Sequence, residues 1–358
     1  MHDTPLIYDL DLSEIDALIS NWGEPPYRAI QIWQGLYRNY WNSPEEFTNL
    51  PISLRKKLSE TLKFDILVPV STLQSIDRET KKTLFKLHDG KAVESVLMKY
   101  DHSPSFESEY GDFTKQGRRT LCVSTQVGCA MGCVFCATGQ MGFKRHLSSG
   151  EIVAQVMHYV RLLHDHGEVV TNVVLMGMGE PFHNYDNTMA AIDRLNDPDG
   201  YNFGARRFTI STVGLIPAIR RFASEKRQVN LAISLHAIND DLRATMVPVG
   251  KTYQIDELLK ACSDYIVASG RRITFEWALI NEVNDTKEQA KLLGSKIKGM
   301  LCHVNIIPLN PTKGYSGKAT SRKCAVEFRD ILVGFGIPCT IRLRRGIEIA
   351  AGCGQLII

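Results

Sequence analysis

The chain has 358 residues, 44% of them hydrophobic, and a formal net charge of only +3. It can bury a large core across about two domains, and its composition excludes a disordered chain. No run of 18 apolar residues occurs, and the acidic start MHDTPLIYDLDL lacks a basic stretch followed by an apolar one, so neither a membrane span nor a secretory leader is expected. Nine cysteines, odd in number and unevenly spaced, do not read as a secreted disulfide framework, and a reducing cytoplasmic location is expected.

Residues 1 to 65 read as a helical accessory domain. Ser13 is placed to cap a helix through Leu18 and Ile19, Pro25 and Pro26 interrupt the chain, and Ile30, Trp33, Tyr37 and Trp41 then recur at helical spacing. Pro51 precedes a short basic helix, LRKKLSETL. Tyr27, Arg28, Tyr37, Arg38, Tyr40 and Trp41 interleave rings with positive charge, a pattern suited to stacking on bases and contacting phosphates. Trp33 and Tyr37 also suit the core of this small domain.

From 66 to 115 the pattern changes to strand-like alternation, with Asp89 and Gly90 as a hairpin turn, and predicts a small β extension. Glu94 falls between apolar residues on the last of these strands, where alternation alone predicts a solvent-facing carboxylate.

Residues 116 to 345 alternate apolar strands with amphipathic helices. The strands are TLCVSTQVG, NVVLMGMGE, RRFTIST, VNLAISLHA, RITFEWALI, HVNIIPLN and PCTIRLRR, and Ser148 with Glu151 makes a capping box for the first long helix between them. Such a pattern implies an α/β fold with a parallel sheet, and six or seven units imply a partial (β/α)6-type barrel, with active groups at the carboxyl ends of its strands. Those ends carry Gly177, Gly179 and Glu180, then Ser211, then Ser234, Leu235 and His236, then Asn310. Short polar groups of this kind can hold a ribose, an adenine and a carboxylate.

Within VGCAMGCVFCATGQMGF, Cys129, Cys133 and Cys136 have the spacing C-x-x-x-C-x-x-C. Three thiolates are one fewer than a structural zinc or a fully ligated iron-sulfur centre takes. One metal position is left open, as an iron-sulfur cluster needs if it is to chelate a small molecule and pass it an electron. A partial zinc site or plain buried thiols are the competing readings, with His146, ten residues past Cys136, as the nearby nitrogen ligand. Two further thiols could reach the same place: Cys122, seven residues before Cys129, and Cys353, between Gly352 and Gly354 in a tail of residues 346 to 358 whose backbone can swing. Cys262, Cys302, Cys324 and Cys339 carry no pattern and read as buried small apolar residues. Basic clusters recur at Arg55-Lys56-Lys57, Lys81-Lys82, Arg118-Arg119, Arg206-Arg207, Arg220-Arg221, Arg271-Arg272 and the run Arg342, Arg344, Arg345. Each fits a solvated face or a phosphate contact.

The three-cysteine spacing, with Phe135 just before its last member, resembles the cluster loop of the radical S-adenosylmethionine (SAM) superfamily. Taken with PPYRAIQIW, NVVLMGMGEP, LAISLHA, VNIIPLNP and the terminal AGCGQL, the chain resembles the RlmN/Cfr family of radical SAM RNA methyltransferases over nearly its whole length. The resemblance implies a 4Fe-4S cluster on Cys129, Cys133 and Cys136, and SAM held by Gly179, Glu180, Ser211, Ser234, Leu235, His236 and Asn310. The implied reaction is methylation of an adenine in the peptidyl-transferase centre of 23S rRNA and, for RlmN members, of an adenine in the tRNA anticodon loop. Cys353 would carry a methyl group, and a 5'-deoxyadenosyl radical made from a second SAM would activate it. Cys122 would then attack the Cys353 sulfur, leaving a disulfide and freeing the product, with Glu94 as proton acceptor. An electron donor such as a flavodoxin or ferredoxin, and a monomer, complete what the family implies.

Pro181, Val127, Arg345-Gly346 and the end soon after GQL favour the RlmN side, hence carbon 2 of adenine over the carbon 8 of Cfr. Family tails usually read GDDIDAACGQL, whereas here Glu348 replaces an Asp and Gly352 an Ala, so altered tail flexibility is expected. His146 stands where Asn is common, and Glu282 where a loop Gly is. Two rival readings remain. An activase that makes glycyl radicals leaves Cys122 and Cys353 without work, and a non-enzymatic iron-sulfur RNA-binding protein has no use for an open iron.

Overall fold

Asp11, and not Ser13, caps the first helix. In the computed structural model, which describes residues 4–100 and 117–357, α1 (Leu12–Asn21) opens on a reciprocal box in which Glu14 N donates to Asp11 Oδ1 at 2.9 Å and Asp11 N to Glu14 Oε2 at 2.8 Å. Ser13 lies inside the helix and only donates to Asp11 Oδ1. α2 (Tyr27–Tyr37) and α3 (Ile52–Thr61) follow. Trp33 and Tyr37 are core residues here. Trp33 Nε1 donates to Asp197 Oδ1 at 3.3 Å, and Arg38 donates to the Pro198 and Gly200 carbonyls. This part of α2 and the residues just after it pack on the rest of the chain, so most of the ring-and-charge pattern is structural. The exposed remainder is Tyr27, with the Arg28 guanidinium 4.9 Å from its ring centre.

The three strands β1 (Val68–Gln74), β2 (Thr80–Lys86) and β3 (Ala92–Tyr100) run antiparallel, and Gly90 takes the positive φ that the turn between β2 and β3 requires. β3 pairs in turn with β4 (Arg118–Cys122), also antiparallel. The boundary expected at residue 115 falls outside the described residues. A hairpin of β5 (Gln126–Gly128) and β6 (Phe143–His146) flanks α4 (Ala137–Gln140). Then come α5 (Ser149–His164), β7 (Asn172–Leu175), α6 (Tyr185–Asn196), β8 (Phe208–Thr212), α7 (Ile216–Ser224), β9 (Asn230–Ser234), α8 (Asp240–Met246) and α9 (Ile255–Ser269). β10 (Ile273–Leu279), α10 (Lys287–Ile297), β11 (Cys302–Pro308), α11 (Arg322–Gly334) and β12 (Cys339–Ile341) complete the order.

All but β5 and β6 belong to one sheet of ten strands, in the order β1-β2-β3-β4-β7-β8-β9-β10-β11-β12. From β4 to β12 every pairing is parallel. β1 and β12 are the two edges, so the barrel stays open, and the β extension is an antiparallel continuation of its sheet. One hydrophobic core runs from Ile7 and Trp33 through the barrel to Leu356. Among the described residues no helix is long and apolar enough to cross a membrane.

Two expectations about single residues change. Glu94 is buried, 5% exposed, because β3 lies inside the sheet and the chain's C-terminal segment covers that face. Of the four unpatterned cysteines, Cys262 and Cys302 are buried whereas Cys324 and Cys339 are half-buried. Several basic residues are spent on buried or partly buried partners, Lys82 on Glu94, Arg119 on Glu168 and Arg345 on Glu79, while Arg221 pairs with Asp186 on the surface.

Candidate active site

The chemically promising residues gather at the carboxyl ends of the parallel strands. Cys122 ends β4, Ser234 ends β9, Ser211 lies near the end of β8, Glu180 follows β7 and Asn310 follows β11. The cysteine loop is held across that opening by the β5–β6 hairpin, in which Cys129 N donates to Gly142 O at 3.0 Å. Gly128 has a φ of +74°, and a Cβ there would run into the Gly142 carbonyl, so glycine is required.

Burial pushes the Cys129 thiol up to about 12 and raises those of Cys133 and Cys136 as well. For Cys133 the neighbouring thiols of Cys136 and Cys129, and then Glu180, add to the effect. Thiols in such surroundings keep their protons until a cation takes their place. Three thiols on one short loop, with no fourth ligand in the motif, are the donor set that a cluster with one open iron takes, whereas a structural zinc takes four.

Glu180 is buried beside this loop. Burial pushes its carboxyl up to about 7, against hydrogen bonds from the Val213 and Phe182 amides at 2.9 and 3.0 Å. Its own amide donates to Gln126 Oε1 at 2.9 Å, and a Cβ on Gly179 would come within 2.6 Å of Gln126 Cβ. Ser211 Oγ and Ser234 Oγ lie 3.3 Å apart. Leu235 offers no free polar group, since its amide donates to Glu276 O and its carbonyl accepts from Arg243. His236 is held neutral, burial pushing it down to about 3, and its Nδ1 accepts from Ala278 N at 2.9 Å.

The C-terminal tail, expected to swing, is fastened over this opening. Ala137 N donates to Gly354 O at 2.7 Å, Thr138 Oγ1 to Leu356 O at 2.7 Å, Gln355 Nε2 to Pro311 O at 2.9 Å and Asn310 Nδ2 to Cys353 O at 3.1 Å. Ile357 N donates to Glu94 Oε2 at 3.0 Å, while Lys82 Nζ lies 2.8 Å from the other Glu94 oxygen. Gly352 presses so closely on Asn310 that a Cβ would stand 2.6 Å from Nδ2. Cys353 is reached by solvent yet ringed by protein, as a group on the floor of an open cleft is. That crowding raises its thiol, while the positive charge of Arg342 pulls the other way. Cys122 lies within electrostatic reach of Cys353, and burial first, then Cys353, pushes its thiol up to about 12. All nine cysteines are free in this structure.

Sequence reasoning missed Lys82, Gln126 and Arg342. Lys82 and Arg342 were visible only as members of basic clusters, and nothing in the local pattern marks Gln126.

Comparison with known proteins agrees with this fold. Residues 123–291 match the model of the radical SAM superfamily, and residues 6–63 match that of the ribosomal RNA large subunit methyltransferase N-terminal domain. A crystal structure of a radical SAM methyltransferase from Sphaerobacter thermophilus superposes with a TM-score of 0.91 at 47% identity, covering 98% of this chain and 99% of that one. The fold and the cysteine loop together therefore define a radical SAM enzyme, whose cofactors are a 4Fe-4S cluster and SAM. The dual-specificity RNA methyltransferase RlmN 1 of Myxococcus xanthus is 47% identical over 98% of this chain and 93% of its own length. A probable dual-specificity RNA methyltransferase RlmN of Chloroflexus aurantiacus is 44% identical over 98% and 92%. The chain belongs to the RlmN family of radical SAM RNA methyltransferases.

Proposed function

We propose that this protein methylates carbon 2 of an adenine in the peptidyl-transferase centre of 23S rRNA and of an adenine in the tRNA anticodon loop, acting in the cytoplasm with a flavodoxin or ferredoxin as electron donor. The observation that carries the reading is that Cys353 and Cys122, two thiols outside the cluster loop, lie at the same end of the barrel within electrostatic reach of each other. The dual-specificity names of the relatives support rRNA and tRNA as substrates.

Carbon 2 of adenine is not nucleophilic, so a methyl cation donor cannot alkylate it directly, and a protein sulfur has to carry the carbon. Cys129, Cys133 and Cys136 would hold the cluster, with Glu180, Ser211, Ser234, His236 and Asn310 around SAM. When bound, cluster and SAM supply a 5'-deoxyadenosyl radical able to take a hydrogen from a methylthioether. Cys353 first receives the methyl group and later presents it, activated, to the ring. Glu94 accepts the proton lost from carbon 2, and the electron released with it would return to the cluster. Cys122 then attacks the Cys353 sulfur. The sulfur–carbon bond breaks, its electron pair passes to the methylene carbon, which takes a proton and leaves as the methyl group, and a Cys122–Cys353 disulfide remains.

Anaerobic incubation of the reconstituted holoenzyme with SAM, a reductant and 23S rRNA, followed by nuclease digestion and mass spectrometry, tests the reading. 2-Methyladenosine is expected. 8-Methyladenosine would overturn the choice of carbon, and release of 5'-deoxyadenosine with no methylated adenosine would overturn the RNA methyltransferase reading.

A further inference from the structure

Gln126 is fully buried where three segments meet. It belongs to β5, which leads straight into Cys129, and its register partner on β6 is His146. The turn that follows β7 wraps around it. Gln126 N donates to Met178 O at 3.1 Å, and Glu180 N donates to Gln126 Oε1 at 2.9 Å. Between them Gly179, at a φ of +106°, lies so close that a Cβ would stand 2.7 Å from Gln126 N. On the other side of the amide, Gln126 Nε2 lies 3.1 Å from His146 Nδ1 and 3.0 Å from His183 Nδ1. Because Oε1 must face the Glu180 amide, Nε2 can only donate, and both imidazoles must accept at Nδ1. Each ring is therefore neutral, with its proton on Nε2. The rings hold one another as well: their centroids are 4.9 Å apart, and Phe143 packs at 5.1 Å from His146 and 5.5 Å from His183. His183 N in turn donates to Glu180 O at 3.1 Å. An amide with both donors and its acceptor taken has one orientation, and this one ties the cluster hairpin to the turn that carries Glu180.

We propose that Gln126, its amide oriented by His146 and His183, is a positioning residue for Glu180: it fixes the Gly179–Glu180 backbone, and with it the carboxyl that takes the ammonium group of SAM. The inference rests on the reading of Glu180 as a SAM contact. Glu180 Oε1 and Oε2 accept from the Phe182 and Val213 amides, so the carboxyl is aimed by backbone on every side. Loss of the Gln126 acceptor leaves a buried amide unpaired, and the turn then gains by shifting. Glu180 holds the bound cofactor before and during reaction alike, so the effect belongs to binding and not to turnover.

The test uses reconstituted holoenzyme, kept anaerobic, and S-adenosylhomocysteine, a probe with the same ammonium and carboxylate groups but no methyl group to give. Its Kd is measured by equilibrium dialysis, beside iron content and thermal stability. Gln126→Met keeps the length of the side chain and loses its hydrogen bonds. It should weaken binding by roughly tenfold, and the KM for SAM in 5'-deoxyadenosine release should rise by as much with kcat little changed. His146 is half-buried and His183 exposed, so both can be replaced without hollowing the core. His146→Leu combined with His183→Leu leaves the amide unoriented and should weaken binding by roughly threefold. His146→Asn with His183→Asn, whose Oδ1 atoms can accept in place of Nδ1, should restore it. Equal Kd values in the wild type and Gln126→Met, whatever happens to stability, or a weakening that follows a loss of iron, overturn the inference. Should Gln126→Met not fold, the double leucine variant decides by the same criterion. Glu180→Gln tests the reading beneath: an unchanged Kd there overturns Glu180 as a SAM contact, and the inference with it.

Discussion

The two ends of the barrel are cut from the same strands and treat their polar groups in opposite ways. At the amino end, Glu168 accepts from Lys99 Nζ at 2.8 and 2.9 Å and from Arg119 Nε at 2.9 Å, and Arg271 spans Gln228 and Asn230. At the carboxyl end, Asn310 Oδ1 and Thr125 Oγ1 are buried without partners, and His236 is bent into a positive φ of 60°. At the first end the charges are paired within the chain, although Arg271 Nε keeps no partner, and at the second the unpartnered atoms face the site. In barrels of this architecture the division lets stability and chemistry be tuned apart, and substitutions at each end should therefore move different observables.

The largest effect is expected from Cys353→Ser. RNA methylation, followed by transfer of label from methyl-labelled SAM, should vanish while iron content stays at the wild-type level, and full activity in this variant would break the division. Cys122→Ala should stall one step later and leave a protein–RNA crosslink visible on a denaturing gel. A free, unmodified Cys122→Ala protein after turnover counts against its role. Gly352→Ala sharpens the comparison further. The new methyl group would meet only the amide ends of Asn310 and Gln355, which can turn aside, so methyl uptake on Cys353 should change little and thermal stability should move by less than about 1 kcal/mol.

At the amino end the readout is pH. Burial alone would raise the Glu168 carboxyl, but hydrogen bonds from Arg119 and Lys99 outweigh it and hold the group at about 2. Its folded value lies below the unfolded one near 4.3, so the carboxylate stabilises the fold fully above that pH and loses its contribution as pH falls toward 2. Glu168→Gln should flatten this acid slope in urea denaturation by roughly 1–3 kcal/mol, with RNA methylation at neutral pH untouched. An unchanged slope would show that the pair contributes nothing. The smallest effect belongs to Glu282, which occupies a left-handed φ of 60°. Glu282→Gly should gain about 0.5 kcal/mol, the relief of strain outweighing the added chain entropy, and a loss on chemical denaturation would contradict this.

Much of the site was legible because it is local. The cysteine spacing, the capping box of Ser148 and Glu151 and the polar strand ends are properties of a few consecutive residues, and each reads the same in any context. Ser13 and Asp11 show how narrow that legibility is, since two residues decide which of them meets Glu14. Trp33 and Tyr37 left two readings open, and only the barrel surface against which they dock decided between them.

The residue order by itself determined the alternation of strands and helices and the loop that offers three thiols, because both follow from hydrophobic period and close spacing along the chain. Only the tertiary structure decided which way each charge faces. Glu94 meets the amide of Ile357 across 263 residues, and Arg344 turns to the Leu309 carbonyl while Arg345 beside it turns to Glu79. Which face of β12 looks into the barrel, and what the tail finds when it returns there, are set by packing between distant segments, and no local pattern carries that information.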